Sequence, residues 1–210
     1  MALRLALVCL LLTAHTAVAG PWPQPAGASF AALKLGAERD GTWRGFGELY
    51  GETGLSARLT ASAKLRSDGT THDAEGRLRW HPRLEGRALG LSLGAAAGAE
   101  RPRALAALHL GRGFSAGTGQ GWARLDLTRW DGPGVAAASE LSAQVGLRHD
   151  AGWIGLLGAT VHRRRGTDTA RLRPALGRAL TADTSLLAEA TLAPRGRHLR
   201  GLALQLWHSF

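Results

Sequence analysis

From about residue 29 to the last residue, apolar and polar positions alternate. In Arg58-Leu59-Thr60-Ala61-Ser62-Ala63-Lys64-Leu65-Arg66 the apolar residues all fall on one parity. Successive side chains of a strand point to opposite faces, so this run predicts a strand with one apolar and one polar face. Glu140 to Arg148 alternates in the same way. Trp122 to Thr128 sets Ala123, Leu125 and Leu127 against Arg124, Asp126 and Thr128. At the end of the chain Leu202, Leu204, Leu206, His208 and Phe210 oppose Gly201, Ala203, Gln205 and Trp207. About twelve such runs are predicted, near 29–38, 42–52, 58–67, 74–81, 87–99, 103–112, 121–130, 136–148, 152–163, 169–178, 184–193 and 198–210. Breaker residues lie between them, as in Asp40-Gly41, Asp68-Gly69, Asp131-Gly132-Pro133-Gly134 and Asp150-Ala151-Gly152. Ala88 to Glu100 and Val135 to Val145 are rich in the helix formers Ala and Leu. Their alternation predicts strand. In the first, Gly90, Gly94 and Gly98 also oppose a helix, at about 1 kcal/mol each.

Two architectures bury such a pattern. In a soluble secreted β-sandwich the apolar face is a core. In a transmembrane antiparallel up-and-down β-barrel it meets lipid, and the polar face lines the lumen. The polar faces here are ionic: Arg44/Glu48/Glu52, Arg58/Lys64/Arg66, Glu75/Arg77/Arg79, Arg124/Asp126, Glu140/Arg148 and Arg171/Arg173. A wet or ion-paired lumen tolerates these charges, and they predict the barrel. Trp43, Trp80, Trp122, Trp130, Trp153 and Trp207 fall near strand ends, where barrels carry aromatic girdles, with an inward direction as the alternative for Trp122 and Trp207. A tilted strand spans a bilayer in about 9–11 residues. The chain length suits about twelve strands with short connections, with ten as the alternative count.

The first residues follow another pattern. Met1-Ala2-Leu3-Arg4 is a charged start, Leu5 to Leu12 is unbroken apolar sequence, and Ala17-Val18-Ala19 precedes Gly20. This is the layout of a secretory signal peptide over 1–19, with 20–210 as the mature barrel. The apolar run is too short for the ~20 residues of a spanning helix. The single Cys, Cys9, lies inside it, so no disulfide framework is available. The net charge of +10 is carried almost entirely by Arg, since only Lys34 and Lys64 are lysines. Export removes nucleic acid from the expected partners. Arg suits phosphate and carboxylate, which leaves an anionic solute or a lipid phosphate.

The alternating C-terminal strand ending in Phe210 resembles the signature of Gram-negative outer-membrane β-barrel proteins. That resemblance implies residence in the cell outer membrane, contact with its lipid and lipopolysaccharide, and recognition of the terminal aromatic by the barrel-assembly machinery. Glu48-Leu49-Tyr50-Gly51-Glu52-Thr53-Gly54-Leu55 also resembles the first hairpin of small proteobacterial barrels.

Catalytic chemistry is not evident along the strands. His208 and Ser209 are adjacent and therefore face opposite sides. His72 and Asp73 fall in an expected loop. His109 and His162 have no metal-ligating neighbour two residues away, and the Gly-rich turns lack a strand–loop–helix context. The expectation is a non-enzyme without cofactor or metal. Its lumen would be lined by Arg44, Glu48, Glu52, Arg58, Lys64, Arg66, Glu75, Arg77, Arg79, Arg124, Asp126, Glu140, Arg148, Arg171 and Arg173, and would pass or bind small polar or anionic solutes. Arg163, Arg164 and Arg165, at the end of an upward strand, are the candidate lipopolysaccharide contact. A non-conducting structural or lipopolysaccharide-binding barrel is the alternative.

Overall fold

The computed structural model describes residues 24–82, 88–98, 101–194 and 198–210. The expected signal segment 1–19 lies outside them. Twelve strands form, with lengths set by the alternating runs: β1 Ser29–Asp40, β2 Thr42–Ser56, β3 Leu59–Ser67, β4 His72–Trp80, β5 Ala88–Ala97, β6 Arg103–Ser115, β7 Gly119–Gly132, β8 Val135–His149, β9 Trp153–Arg164, β10 Thr167–Ala179, β11 Thr184–Ala193 and β12 His198–Ser209. The two Ala-rich segments are the strands β5 and β8. The alternation overrides their helix propensity because each side chain pairs with a neighbour on its own face. His72 and Asp73 open β4 and do not lie in a loop.

Each strand pairs antiparallel with its sequence neighbours, and β1 pairs with β12, so the sheet is a closed twelve-strand barrel. A sandwich and a ten-strand barrel are both overturned by this closure. The backbone of Ser29 and Phe210 exchanges two hydrogen bonds, of 3.3 and 2.8 Å, which places the start of β1 and the end of β12 at one end of the barrel. We call this the terminal end and the opposite one the far end.

Connections are short, none longer than the seven residues between β4 and β5. The β9–β10 turn has positive φ at both Arg165 (50°) and Gly166 (77°), the type I′ geometry whose twist matches a two-residue hairpin. In the β3–β4 turn, Asp68 Oδ1 accepts hydrogen bonds from the backbone N–H of Thr71 (2.7 Å) and of Thr70 (3.0 Å) and from the Thr70 hydroxyl. Those bonds hold the Asp68 carboxyl well below the usual carboxylate range.

The outer face is a belt of exposed aliphatics, among them Leu35, Leu93, Leu108, Leu127, Leu157, Leu176 and Leu204. Trp43, Trp80 and Trp153 are on it, each about half exposed. Trp122 and Trp130 instead turn inward and are buried. Trp207 also packs inside, against Trp122, Ile154, Leu156, Ala175 and Leu187. The girdle expectation is therefore corrected for Trp130, and Trp122 and Trp207 take the inward alternative. Trp122 and Trp130 share the parity of Arg124 and Asp126, Trp207 shares that of Ala203 and Gln205, and the lumen has its own apolar filling.

Glycine makes that filling possible at Gly146, the cross-strand partner of Trp122. A Cβ there would fall on the Trp122 ring and 2.7 Å from Leu156 Cδ2. Gly146→Ala is expected to destabilise the barrel by about 1–3 kcal/mol, the usual cost of overpacking. Gly155→Ala, where a Cβ meets open space, should stay within about 0.5 kcal/mol. Urea midpoints of the refolded variants check both.

Candidate functional site: the inner face of the barrel

Fifteen charges were expected on the inner face. Arg58 is corrected: it lies in the β2–β3 turn, exposed at the terminal end, with its carbonyl accepting the backbone N–H of His81. The other fourteen lie on strands and share the parity of buried inner residues.

Near the far end, Arg66 on β3 joins two carboxylates of neighbouring strands. Its guanidinium is 2.9 Å from Glu38 and 3.6 Å from Glu48. The same group lies 4.2 Å over the Phe46 ring. Arg171 approaches Glu38 at 3.9 Å. Arg77 binds Glu75 at 2.6 Å, and the Trp130 indole N–H donates to the second Glu75 oxygen at 3.3 Å. Glu140 faces His162 at 3.7 Å. Arg148 donates to the Ser185 hydroxyl at 3.2 Å. Arg44 is exposed, and Lys64 and Arg173 are half-buried.

Toward the terminal end the polar wall is denser. Glu52 accepts 2.6 Å hydrogen bonds from Tyr50 and from Gln24, which the segment before β1 carries over Gly54. Arg79 reaches Glu52 only at 3.8 Å, and its buried Nε has no partner. His81, just past β4, is buried and touches Thr60 at 3.4 Å. Burial and the Arg79 charge push its pKa down to about 4. Across the lumen the wall is apolar, formed by the Trp122–Trp207 cluster.

Four inner-face residues were not singled out in the sequence. Lys34 and Glu189 form a 2.6 Å ion pair. Ser92 and His109 continue into Asp126: Ser92 Oγ is 2.8 Å from His109 Nε2, and His109 Nδ1 is 2.8 Å from Asp126 Oδ1. The expectation that no nucleophile–base set shares a face is thereby corrected. Spacing along a strand cannot reveal this set, which runs across β5, β6 and β7. Lys34 could have been found from its parity opposite Leu33 and Leu35. Ser92–His109–Asp126 required the register.

The basic run at the far end does not point one way. Arg163 points outward and is held by Asp168 through bonds of 2.7 and 2.8 Å. Alternation puts Arg164 on the inner face, and Arg165 sits in the turn. Phe210 is exposed, with its ring edge-on to His208 at 4.4 Å. Among the described residues no group of three or more His, Cys, Asp or Glu could hold a metal ion.

No protein-family model matches the chain, and no curated protein matches it in sequence. Solved structures do match in shape. The KdgM porin superposes with a TM-score of 0.65 at 8% identity, over 85% of this chain and 99% of its own. The fold is that of an outer-membrane porin. The NanC porin gives a TM-score of 0.67 at 12% identity, over 86% of this chain and 98% of its own. An outer-membrane channel from Pseudomonas putida F1 gives 0.52 at 15% identity, over 93% of this chain and all of its own. At these identities the porin likeness concerns the fold.

Proposed function

We propose that this porin-fold barrel resides in the outer membrane and passes or binds small polar, preferably anionic, solutes through its lumen. The observation that carries the reading is the state of the inner-face arginines. Arg124 and Arg171 keep 42% of their side-chain surface open, although both point inward. Water therefore reaches them inside the barrel. No connection exceeds seven residues, which limits how far a loop can reach into the lumen. Arg44, Arg171 and Arg173 give the open part of the wall a positive sign, which favours anions. One solved KdgM structure is a complex with oligogalacturonate, a chain of carboxylate sugars. Arg is suited to such groups. The exported signal segment and Phe210 as the assembly signal complete this reading.

Planar-bilayer recordings of the purified barrel test it. Discrete channels are expected, with a reversal potential on the anion side under a KCl gradient. Arg171→Glu with Arg173→Glu should move that potential toward the cation side. Silence of well-inserted protein would reject the pore.

A second reading rests on the outer surface. At the far end Arg39, Trp43, His198, Leu199 and Arg200 line a groove, with Arg200 donating to the Arg39 carbonyl at 3.3 Å. Cations beside an exposed indole suit a lipopolysaccharide phosphate at the lipid boundary. This site replaces Arg163, whose charge Asp168 already engages. Copurifying lipopolysaccharide, lost in Arg39→Ser/Arg200→Ser, would favour a lipid-binding role.

A further inference from the structure

Among the inner-face groups, the Ser92–His109–Asp126 chain has a directionality that ion pairing does not require. Asp126, as a carboxylate, is acceptor-only, so the Nδ1 of His109 carries the hydrogen between them. The neutral ring then has its lone pair on Nε2, and the Ser92 hydroxyl donates to it. Serine thus faces a base, and the base is oriented by a third group, the arrangement that activates a hydroxyl nucleophile. The Asp126 carboxylate is fixed from its other side, since Arg124 Nε binds Oδ2 at 2.9 Å. Ser92, His109 and Asp126 are each less than a tenth exposed, so the set is held in a region of low solvent access.

The surroundings supply two further requirements. A tetrahedral intermediate needs a donor for its oxyanion. The backbone N–H groups here belong to the sheet ladder. Arg79 is the cross-strand partner of Ser92, and its buried Nε has no acceptor. Its chain runs over Gly90, where a Cβ would stand 3.0 Å from Arg79 Cδ and 3.5 Å from His109 Cβ. The covering group is therefore one flexible side chain, tied to Glu52 only at 3.8 Å. The inner-face neighbours of Ser92 are Gly90 and Gly94 on β5 and Ala107 on β6, and with Ser92 itself 2% exposed only a small acyl group would fit against it.

We propose that Ser92 is the nucleophile of a lumenal esterase site for short-chain carboxylic esters of polar or anionic alcohols. Ser92 Oγ attacks the ester carbonyl while its proton passes to His109 Nε2, and Arg79 faces the oxyanion. The carbon–oxygen bond to the alcohol breaks, and the alcohol leaves with the proton from His109. Water then attacks the acyl-serine by the same route, releasing the carboxylic acid and restoring Ser92. Ser92 and His109 are catalytic residues, and Asp126 is a positioning residue. The proposal rests on the lumen being open to solutes, as proposed above.

The test uses the refolded full-length barrel in detergent, with p-nitrophenyl acetate as substrate and diisopropyl fluorophosphate as trap. Folding of every variant is checked by its boiled-against-unboiled gel shift and its channel conductance. The expected result is one phosphoryl group per barrel on the peptide carrying Ser92. Labelling and nitrophenol release should fall at least ~10²-fold in His109→Ala and in Asp126→Asn, with the boiled-against-unboiled gel shift retained. Asp126→Glu should recover part of the loss, which a purely structural carboxylate would not do. An unlabelled Ser92, or equal labelling in His109→Ala, overturns the proposal. Ala107→Cys, beside Ser92, reports access: failure to react with a methanethiosulfonate reagent also overturns it. Conductance that persists beside either negative result leaves the pore reading standing.

Discussion

Leu204→Arg is expected to destabilise the barrel by about 2–4 kcal/mol in lipid vesicles, the cost of a cation on the lipid face near the bilayer midplane. Leu204 lies in the middle of β12, 57% exposed and paired with the equally outward Leu35 of β1. Leu180, 59% exposed, lies in the turn between β10 and β11. Leu180→Arg should cost only about 0–1 kcal/mol, because the charge sits at the interface. Urea titrations of vesicle-refolded protein measure both. The contrast carries the meaning, since the two leucines are equally exposed and differ in depth. If water surrounded the belt, both substitutions would stay within about 0.5 kcal/mol, as ordinary surface changes do. Equal small costs would reject a lipid-facing belt and the membrane location with it.

Glu189→Ala should be the most damaging single change inside. Glu189 Oε1 receives Lys34 at 2.6 Å, and its Oε2 receives Gln205 Nε2 at 2.7 Å. Gln205 Oε1 in turn accepts the Trp207 indole N–H at 3.0 Å. The side chains of Lys34 and Glu189 are only 14% and 10% exposed. Removing the carboxylate leaves an ammonium without an anion and an amide without an acceptor, with an expected loss of about 3–5 kcal/mol. The double change Lys34→Met/Glu189→Leu should recover most of it, because two apolar side chains of similar volume remove the buried charge altogether. A double-mutant cycle on urea midpoints reads the coupling. A loss below about 1 kcal/mol for Glu189→Ala would mean that lumen water solvates Lys34 without help.

The strand plan was legible because a period of two is the direct consequence of strand geometry. All twelve strands fall where the alternation put them. Glu140, Ser142, Gln144 and Arg148 among Ala and Leu fixed parity even in Ala-rich β8. Trp130 belongs to the lumen and not to a girdle, because position near a strand end does not determine face, whereas parity with Arg124 and Asp126 does. The individual charges were legible as a set, and their pairing was not. Arg66 meets Glu38 and Glu48 from two other strands, which depends on register and on the curvature of closure. The Ser92–His109–Asp126 chain is the clearest case. Its members are seventeen residues apart in each step, and nothing in any single strand marks them.

The hydrogen bonds between Ser29 and Phe210 also constrain the order in which the molecule can form. The last strand completes the pairing of the first, so closure has the longest sequence separation among the strand pairs. Pairings of this kind form slowly, since the whole intervening chain must be ordered first. Until then β1 presents an unpaired edge, the feature that recruits foreign strands. Eleven hairpin contacts can zip locally, but the ring cannot shut during translation. A chain of this topology therefore spends its vulnerable time as an open sheet, and the Lys34–Glu189 ion pair, which joins β1 to β11 across β12, becomes available only in the final step.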